Sequence, residues 1–390
     1  MFSPIPEILD ELRAGRMIVL TDDESRENEG DLVLPAQFIT PESVTFMLRE
    51  AKGYMCLSLT EADCDRLDLA PQAQTNTSVR GTPLTVSIDG HPRHGFTTGV
   101  SARERAETIR LAINPQSGPE DFVRPGHINP LRSRDGGVLV RTGQTEGSLD
   151  LCRLAGLYPA AVIIEIMRDD GEMARVPDLE QFCATHGLKM CSVAQIVEHR
   201  LARERLVRRL DPMTGTPLRT PAGEFRLFAY TTPVDPLPHV ALTVGDIGVP
   251  DAGVVPEITS PLLTRVHRRD LLGDVFEELR EGRPPSGRQL RQCMDLIQRE
   301  GRGVIVYLRP EGVGESLAQR LQRIRTREDD NTDGPGPSTT WREIGVGCQI
   351  LRDLGVSRLR LLSNSTTEHP GLDAFGIHIE ERIPIPGDGD

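Results

Sequence analysis

Through its first half the chain alternates short apolar runs with stretches in which apolar residues recur every three or four positions. RMIVLTD (16–22), YMCLSL (54–59), GGVLVRTG (136–143) and AAVIIEIM (160–167) have the length and composition of buried strands. TPESVTFMLREAKG (40–53) predicts a helix, with Thr40 as cap, Pro41 at the first position and Gly53 past the end. SARERAETIRLAI (101–113) places Ser101 and Glu104 at capping-box spacing, and DLEQFCATHG (178–187) predicts another helix. Alternation of this kind predicts an α/β domain with a mixed sheet.

The pattern changes between Glu198 and Thr220, first to arginine-rich and then to turn residues. A domain boundary at 203/204 follows, giving domains 1–203 and 204–390. Beyond it, GEFRLFAYTT (223–232) and HVALTVGDIG (239–248) predict a hairpin. The stretch from Glu300 to Arg325 predicts a strand, a glycine-rich turn and a helix, so the second domain is α/β or α+β. Thr326–Thr340 is dense in Asp, Gly and Pro and predicts a mobile loop. No internal repeat is visible.

Charge and composition narrow the function classes. A net charge of −13 argues against a nucleic-acid surface, and the basic stretch EHRLARERLVRRL has the spacing of a solvated helix face. No apolar run is long enough to span a bilayer, so no membrane partner and a cytoplasmic location are expected. The seven cysteines form no CxxC pair and predict free thiols. Lysine occurs only at 52 and 189, so Schiff-base chemistry has few nucleophiles to draw on.

Directly after the first strand, TDDESRENEGD gathers Asp22, Asp23, Glu24, Glu27, Glu29 and Asp31 around Arg26. Acidic runs usually line solvated loops, but carboxylates at a strand end occupy the place where open α/β sheets build sites. Such a cluster suits a hard cation such as magnesium, or general acid–base work.

These residues belong to a longer series of motifs: DDESRENEGDLVLPA, NTSVRGTPLTVSID, GFTTGVSARERAETIR, EDFVRPGHINPLR, RTGQTEGSLDLCRLAGL and EIMRDDGEMARVPDL. In order and spacing the series resembles the 3,4-dihydroxy-2-butanone 4-phosphate synthase family over about residues 5–202. The resemblance implies magnesium-dependent conversion of ribulose 5-phosphate to a four-carbon phosphate and formate, in a homodimer with shared sites. It implies a metal ligand at Glu27, catalytic or pocket roles for Glu165, His127, Glu29, Asp23 and Cys56, and sugar-phosphate contacts at Arg26, Asp31, Thr98, Arg141 and Thr145. Gln144 stands where the family carries its second metal ligand, a histidine, so a weakened magnesium site is expected. Asn129 replaces a usual aromatic residue and Ile164 a usual cysteine.

The second half is similar to the GTP cyclohydrolase II family over about residues 223–386, and the pairing is that of bifunctional riboflavin-biosynthesis enzymes. That family's three zinc cysteines correspond to Asp270 and approximately Glu281 and Arg283, so neither zinc nor cyclohydrolase activity is expected. Ile344 replaces a tyrosine, and Asn364-Ser365-Thr366-Thr367-Glu368 replaces the family's NNPKK. A glycine turn, PEGVGESL, is a weak anion-binding signal. The leading expectation is an enzyme that enolises and dehydrates ribulose 5-phosphate, with a catalytically dead second domain. The alternatives are a paralogue giving another pentulose-phosphate product, and a non-catalytic regulator or scaffold.

Overall fold

The computed structural model describes residues 2–22, 26–78, 81–233, 235, 237–279, 284–309, 337–364 and 372–386. Contacts divide the chain into two units at His199/Arg200. The described part of the first contains strands β1 (Ile18–Thr21), β2 (Gly30–Pro35), β3 (Cys56–Leu59), β4 (Ile88–Gly90), β5 (Phe122–Arg132), β6 (Ala161–Glu165) and β7 (Lys189–Ser192). They form a mixed sheet in the order β4-β5-β3-β6-β2-β1-β7, so the expected mixed α/β architecture is present.

Its helices are α1 (Ile5–Arg13), α2 (Pro41–Phe46), α3 (Glu61–Arg66), α4 (Ala102–Ala112), α5 (Gln144–Leu154), α6 (Val176–His186) and α7 (Val193–Leu201). Strand alternation sorts residues between the two faces of the sheet. One face sends Val19, Leu32, Leu57, Ile128 and Ile164 into a core shared with Val44 and Met47 of the α2 segment and with Ala106 and Ile109 of α4. Truncating one of these, such as Leu57→Ala, removes about 2–5 kcal/mol. The other face carries Leu20, Asp31, Cys56, Ile163 and Glu165, and α5 packs along β1, β2, β3 and β6. Gly147 allows that approach, since a Cβ there would lie 2.9 Å from Leu20.

Two local expectations change. GGVLVRTG is not a strand: Gly136 and Gly137 have φ of 91° and 64°, and Gly137–Leu139 forms a 3₁₀ turn. The Asp150 carboxylate accepts from Val138 N (2.8 Å) and occupies the space a Cβ on Gly137 would need. The helix capped by Thr40 continues as a π-turn over Met47–Ala51 and ends at Lys52, whose φ is 69°. Gly53 has a different task, described below.

The second unit's described strands are β8 (Arg208–Arg209), β9 (Thr216–Thr220), β10 (Gly223–Thr231), β11 (His239–Val244), β12 (Leu262–Arg268), β13 (Gly303–Leu308), β14 (Arg358–Leu362) and β15 (His378–Ile383). Their order is β15-β14-β12-β13-β11-β10-β8, with β9 also on β10, and β10 and β11 form the expected hairpin. Helices α8 (Leu271–Val275), α9 (Ser286–Glu300) and α10 (Pro337–Asp353) accompany them. Of the loop expected at 326–340, residues 326–336 lie outside the described residues; the last four open α10, where proline is accommodated because a first-turn N–H has no helical acceptor. The PEGVGESL turn, Glu281, Arg283 and residues 365–368 also lie outside the described residues.

Candidate functional site

The acidic stretch is organised by Asp22. Its buried carboxylate accepts from the backbone N–H of Glu27 (3.0 Å) and of Glu29 (2.9 Å), folding residues 26–29 back over the end of β1. Asn28 takes the left-handed conformation the turn requires, with φ 55°. Arg26 Nη1 donates to Asp22 Oδ2 (2.7 Å), Glu27 Oε2 (2.7 Å) and Gln144 Oε1 (3.1 Å). From the start of α6, Arg175 Nη1 donates to the carbonyls of Glu27 (2.8 Å) and Asn28.

Sheet register supplies the next layer. Leu20 pairs with Asp31 and Asp31 with Glu165, so the two carboxyls are neighbours on the α5 face. Asp31 is fully buried, and burial followed by the charges of Glu165, Asp22 and Glu27 raises its carboxyl well above the usual range. Glu165 is raised as well, chiefly by burial, against the hydrogen bond it accepts from Tyr54 N (2.8 Å). Glu29 is raised by burial and by Glu27. Gly53 makes room for Glu165, since a Cβ there would stand 2.2 Å from its carbonyl oxygen. Cys56 lies in the next row, paired with Ile163 and Asn129, and burial pushes its thiol far up. Carboxyls of this kind hold protons more strongly than exposed ones, whereas the Cys56 thiol stays protonated.

The residues RTGQTE form the entry to α5. Gly143 is the N-cap, Gln144 and Thr145 are buried in the first turn, and the helix N–H groups there favour an anion. Arg141 Nη1 pairs with the fully buried Glu146 (2.7 Å), whose second oxygen accepts from Arg134 N. A Cβ on Gly143 would meet Arg141 Nη1 at 2.5 Å and Arg26 Nη2 at 3.2 Å, so two guanidinium groups converge on this glycine. Gln144 thus has an observed partner: its amide oxygen receives Arg26.

Two predicted residues fall elsewhere. His127 lies on β5, separated from β6 by β3, and its Nδ1 sits 2.6 Å from Asp89 Oδ2 while its N–H donates to Asp89 Oδ1 (2.9 Å). Thr98 is exposed, and the Gly99 beside it (φ 77°) packs onto the same Asp89 carboxylate. The predicted residues therefore fall into two groups, one around Arg26, Gln144 and Glu165 and one around Asp89. Asp23 lies outside the described residues. Sequence reasoning did not single out Tyr54, Asp89, Glu146 and Arg175 as site neighbours, although Asp89, Glu146 and Arg175 lie within the motifs NTSVRGTPLTVSID, RTGQTEGSLDLCRLAGL and EIMRDDGEMARVPDL.

A profile of the 3,4-dihydroxy-2-butanone 4-phosphate synthase family matches residues 6–199, and one of GTP cyclohydrolase II matches residues 212–384. The riboflavin biosynthesis protein RibBA of Aquifex aeolicus is 44% identical, over 98% of this chain and 92% of its own. This chain belongs to the RibBA family. RibBA of Salinispora arenicola is 45% identical over 99% of this chain and 89% of its own. Among solved structures, RibBX of A. baumannii, described as a two-domain 3,4-dihydroxy-2-butanone 4-phosphate synthase, aligns with TM-score 0.79 and 35% identity, covering 97% of this chain and 99% of that one.

In this RibBA-family chain the second unit has a polar centre of its own. Asp274 accepts from Ser286 Oγ (2.7 Å), Tyr307 Oη (2.7 Å) and Asp270 N (2.9 Å), and its Oδ1 lies 2.9 Å from His267 Nε2. Burial opposes the charge, but these hydrogen bonds hold Asp274 down at about 2. Asp270 caps α8 by accepting from Gly273 N (3.2 Å). Past residue 203 the sequence holds only Cys293 and Cys348. Both are buried, and burial pushes their thiols up to about 11 and about 12.

Proposed function

We propose that the first unit is a 3,4-dihydroxy-2-butanone 4-phosphate synthase acting on ribulose 5-phosphate. The observation that carries this reading is the convergence of Arg26, Arg141 and the α5 N-terminus on Gly143, linked through Glu27 to carboxyls made basic by burial. A phosphate dianion at Gly143 receives planar donor pairs from both arginines and N–H groups from Gln144 and Thr145. That anchor directs the carbon chain toward the Asp31–Glu165 row. Glu165, with Glu29 and Asp31 beside it, takes the proton next to the carbonyl and returns protons as water leaves and re-enters. The protonated Cys56 thiol serves as a neutral wall. Formate and the four-carbon phosphate together contain every atom of the substrate, so no oxidant is required.

Magnesium fits the donor set in type. Glu27 Oε2 and Gln144 Oε1 both lie within 3.1 Å of one Arg26 nitrogen, and both are hard oxygens. Among the described residues no three His, Cys, Asp or Glu side chains are arranged to hold a metal. Glu27 and Gln144 would hold the ion with water and substrate completing its shell, a weaker site than one with a histidine. When bound it supplies charge stabilisation to an enediolate.

Two further parts of the proposal concern the whole chain. The Asp89–His127–Thr98 group completes the site from a second copy, making the protein a homodimer. The second unit performs no cyclohydrolase chemistry, because two buried thiols cannot replace a three-cysteine zinc site.

The test is incubation with ribulose 5-phosphate and magnesium, followed by carbon and phosphorus NMR. Stoichiometric formate is expected. The neutral amide at Gln144 favours a second reading, in which the reaction stops at an earlier isomer or diketone. Product without formate, together with formate gained in Gln144→His, would establish it; no product and no solvent-deuterium exchange would point to a non-catalytic role.

A further inference from the structure

We infer that Arg175 is a positioning residue for the acidic loop, setting the place of the Glu27 and Glu29 carboxylates by holding the backbone between them. The inference rests on the synthase reading above. Arg175 Nη1 donates to two successive carbonyls, Glu27 (2.8 Å) and Asn28, while Asp22 receives the N–H groups of Glu27 and Glu29. The loop is therefore gripped from both sides, amides by a carboxylate and carbonyls by a guanidinium. Neither set of hydrogen bonds uses the Glu27 or Glu29 carboxylates, although the Arg175 charge also draws the Glu29 carboxyl down against its burial.

Arg175 reaches this place through a short structured return from Glu165. Past β6 the chain turns at Asp169–Gly171, Met167 bridges Met173, and Ala174 N donates to the carbonyl of Ile166 (3.0 Å). Asp178 Oδ2 accepts from Arg175 N (3.0 Å) and fixes the start of α6. The same return ties Glu165, one residue before Ile166, to the loop carrying Glu27. A carboxylate on one strand end and a carboxylate in a separate loop are thus held to a common spacing by one side chain. Arg175 lies on the exposed side, so its two bonds to carbonyls account for its placement better than core packing does.

The experiment compares Arg175→Ala and Arg175→Lys with the unaltered full-length chain, whose formate production first establishes the reaction itself. For Arg175→Ala the expected result is a fall in kcat of about tenfold to a hundredfold. KM for ribulose 5-phosphate changes by less than kcat, because Arg141 and the α5 N–H groups at Gly143 lie outside the loop and only Arg26 is carried on it. Arg175→Lys, which retains a cationic donor, recovers part of kcat, and added guanidinium ion at millimolar concentration recovers part of it for the alanine variant. Hydrogen exchange of the Glu27–Glu29 amides, read by mass spectrometry without substrate, rises in Arg175→Ala while α4 and α5 amides stay protected. Unchanged kcat, or a kcat loss that simply follows a fall in Tm with no change in exchange at 27–29, overturns the inference. If the unaltered chain makes no formate, the exchange result still decides whether Arg175 orders the loop.

Discussion

At the scale of single residues, burial gives the site its chemistry and costs the fold stability. Glu165→Gln removes the proposed base without altering its size, and kcat for formate release should fall by about a hundredfold or more, with KM little changed. In the unaltered enzyme the acid limb of the kcat profile should lie above the ordinary carboxylate range, since burial raises Glu165 and it acts only when ionised. Asp31 makes the complementary case. Its raised carboxyl means that the folded chain keeps a proton the unfolded chain has already released. That stabilising contribution is complete below the usual aspartate range and is lost as pH rises through the raised value. Asp31→Asn should therefore raise Tm at pH 7 by at least about 2 °C while abolishing turnover, measurable by calorimetry and a formate assay. Gln144 shows the limit of reading one position by itself. From the sequence a neutral amide reads only as a poor ligand, yet in the fold its oxygen accepts from Arg26.

Among elements, the α5 entrance sets the proposed phosphate position. A Cβ on Gly143 would press on the far ends of two flexible arginines, not on backbone. Gly143→Ala should accordingly leave Tm within about 2 °C and raise KM for the sugar phosphate by about tenfold, as steady-state kinetics would show. The α5 motif and the acidic loop were legible in the sequence because each is a contiguous string whose residue types suit anions or cations. The Tyr54–Glu165 and Asp89–His127 contacts were not, because they depend on strand register between segments 111 and 38 positions apart. GGVLVRTG misled for another reason: apolar composition suits a strand, but two positive-φ glycines and the Asp150 side chain settle a 3₁₀ turn instead. The capping signals fared better, with Thr40 and Ser101 both accepting from the N–H three residues on.

For the whole molecule, the split of predicted residues between the Arg26 and Asp89 groups makes the dimer proposal testable. Co-expression of Glu165→Gln with His127→Ala should restore up to about a quarter of activity per chain if sites are shared between copies, and none if each chain works alone. In the second unit, the eight-stranded sheet and the buried Asp274 centre are kept while the second half of the sequence provides only two cysteines. Metal analysis after expression with zinc should find less than about 0.1 equivalent per chain, and GTP should yield no formate. Zinc near one equivalent would remove this part of the proposal.

The bonds around Arg26 also set how the site must open. Its Nη1 carries two hydrogens, and among the described residues three oxygens stand within bonding distance of it. Two belong to carboxylates at 2.7 Å; the third, at 3.1 Å, is the uncharged amide of Gln144. Of these three, an arriving dianion competes first with the one that has neither charge nor the shortest bond. Gln144 is therefore a latch rather than a lock, keeping the guanidinium aimed while the site is empty and yielding it at small cost once phosphate is near.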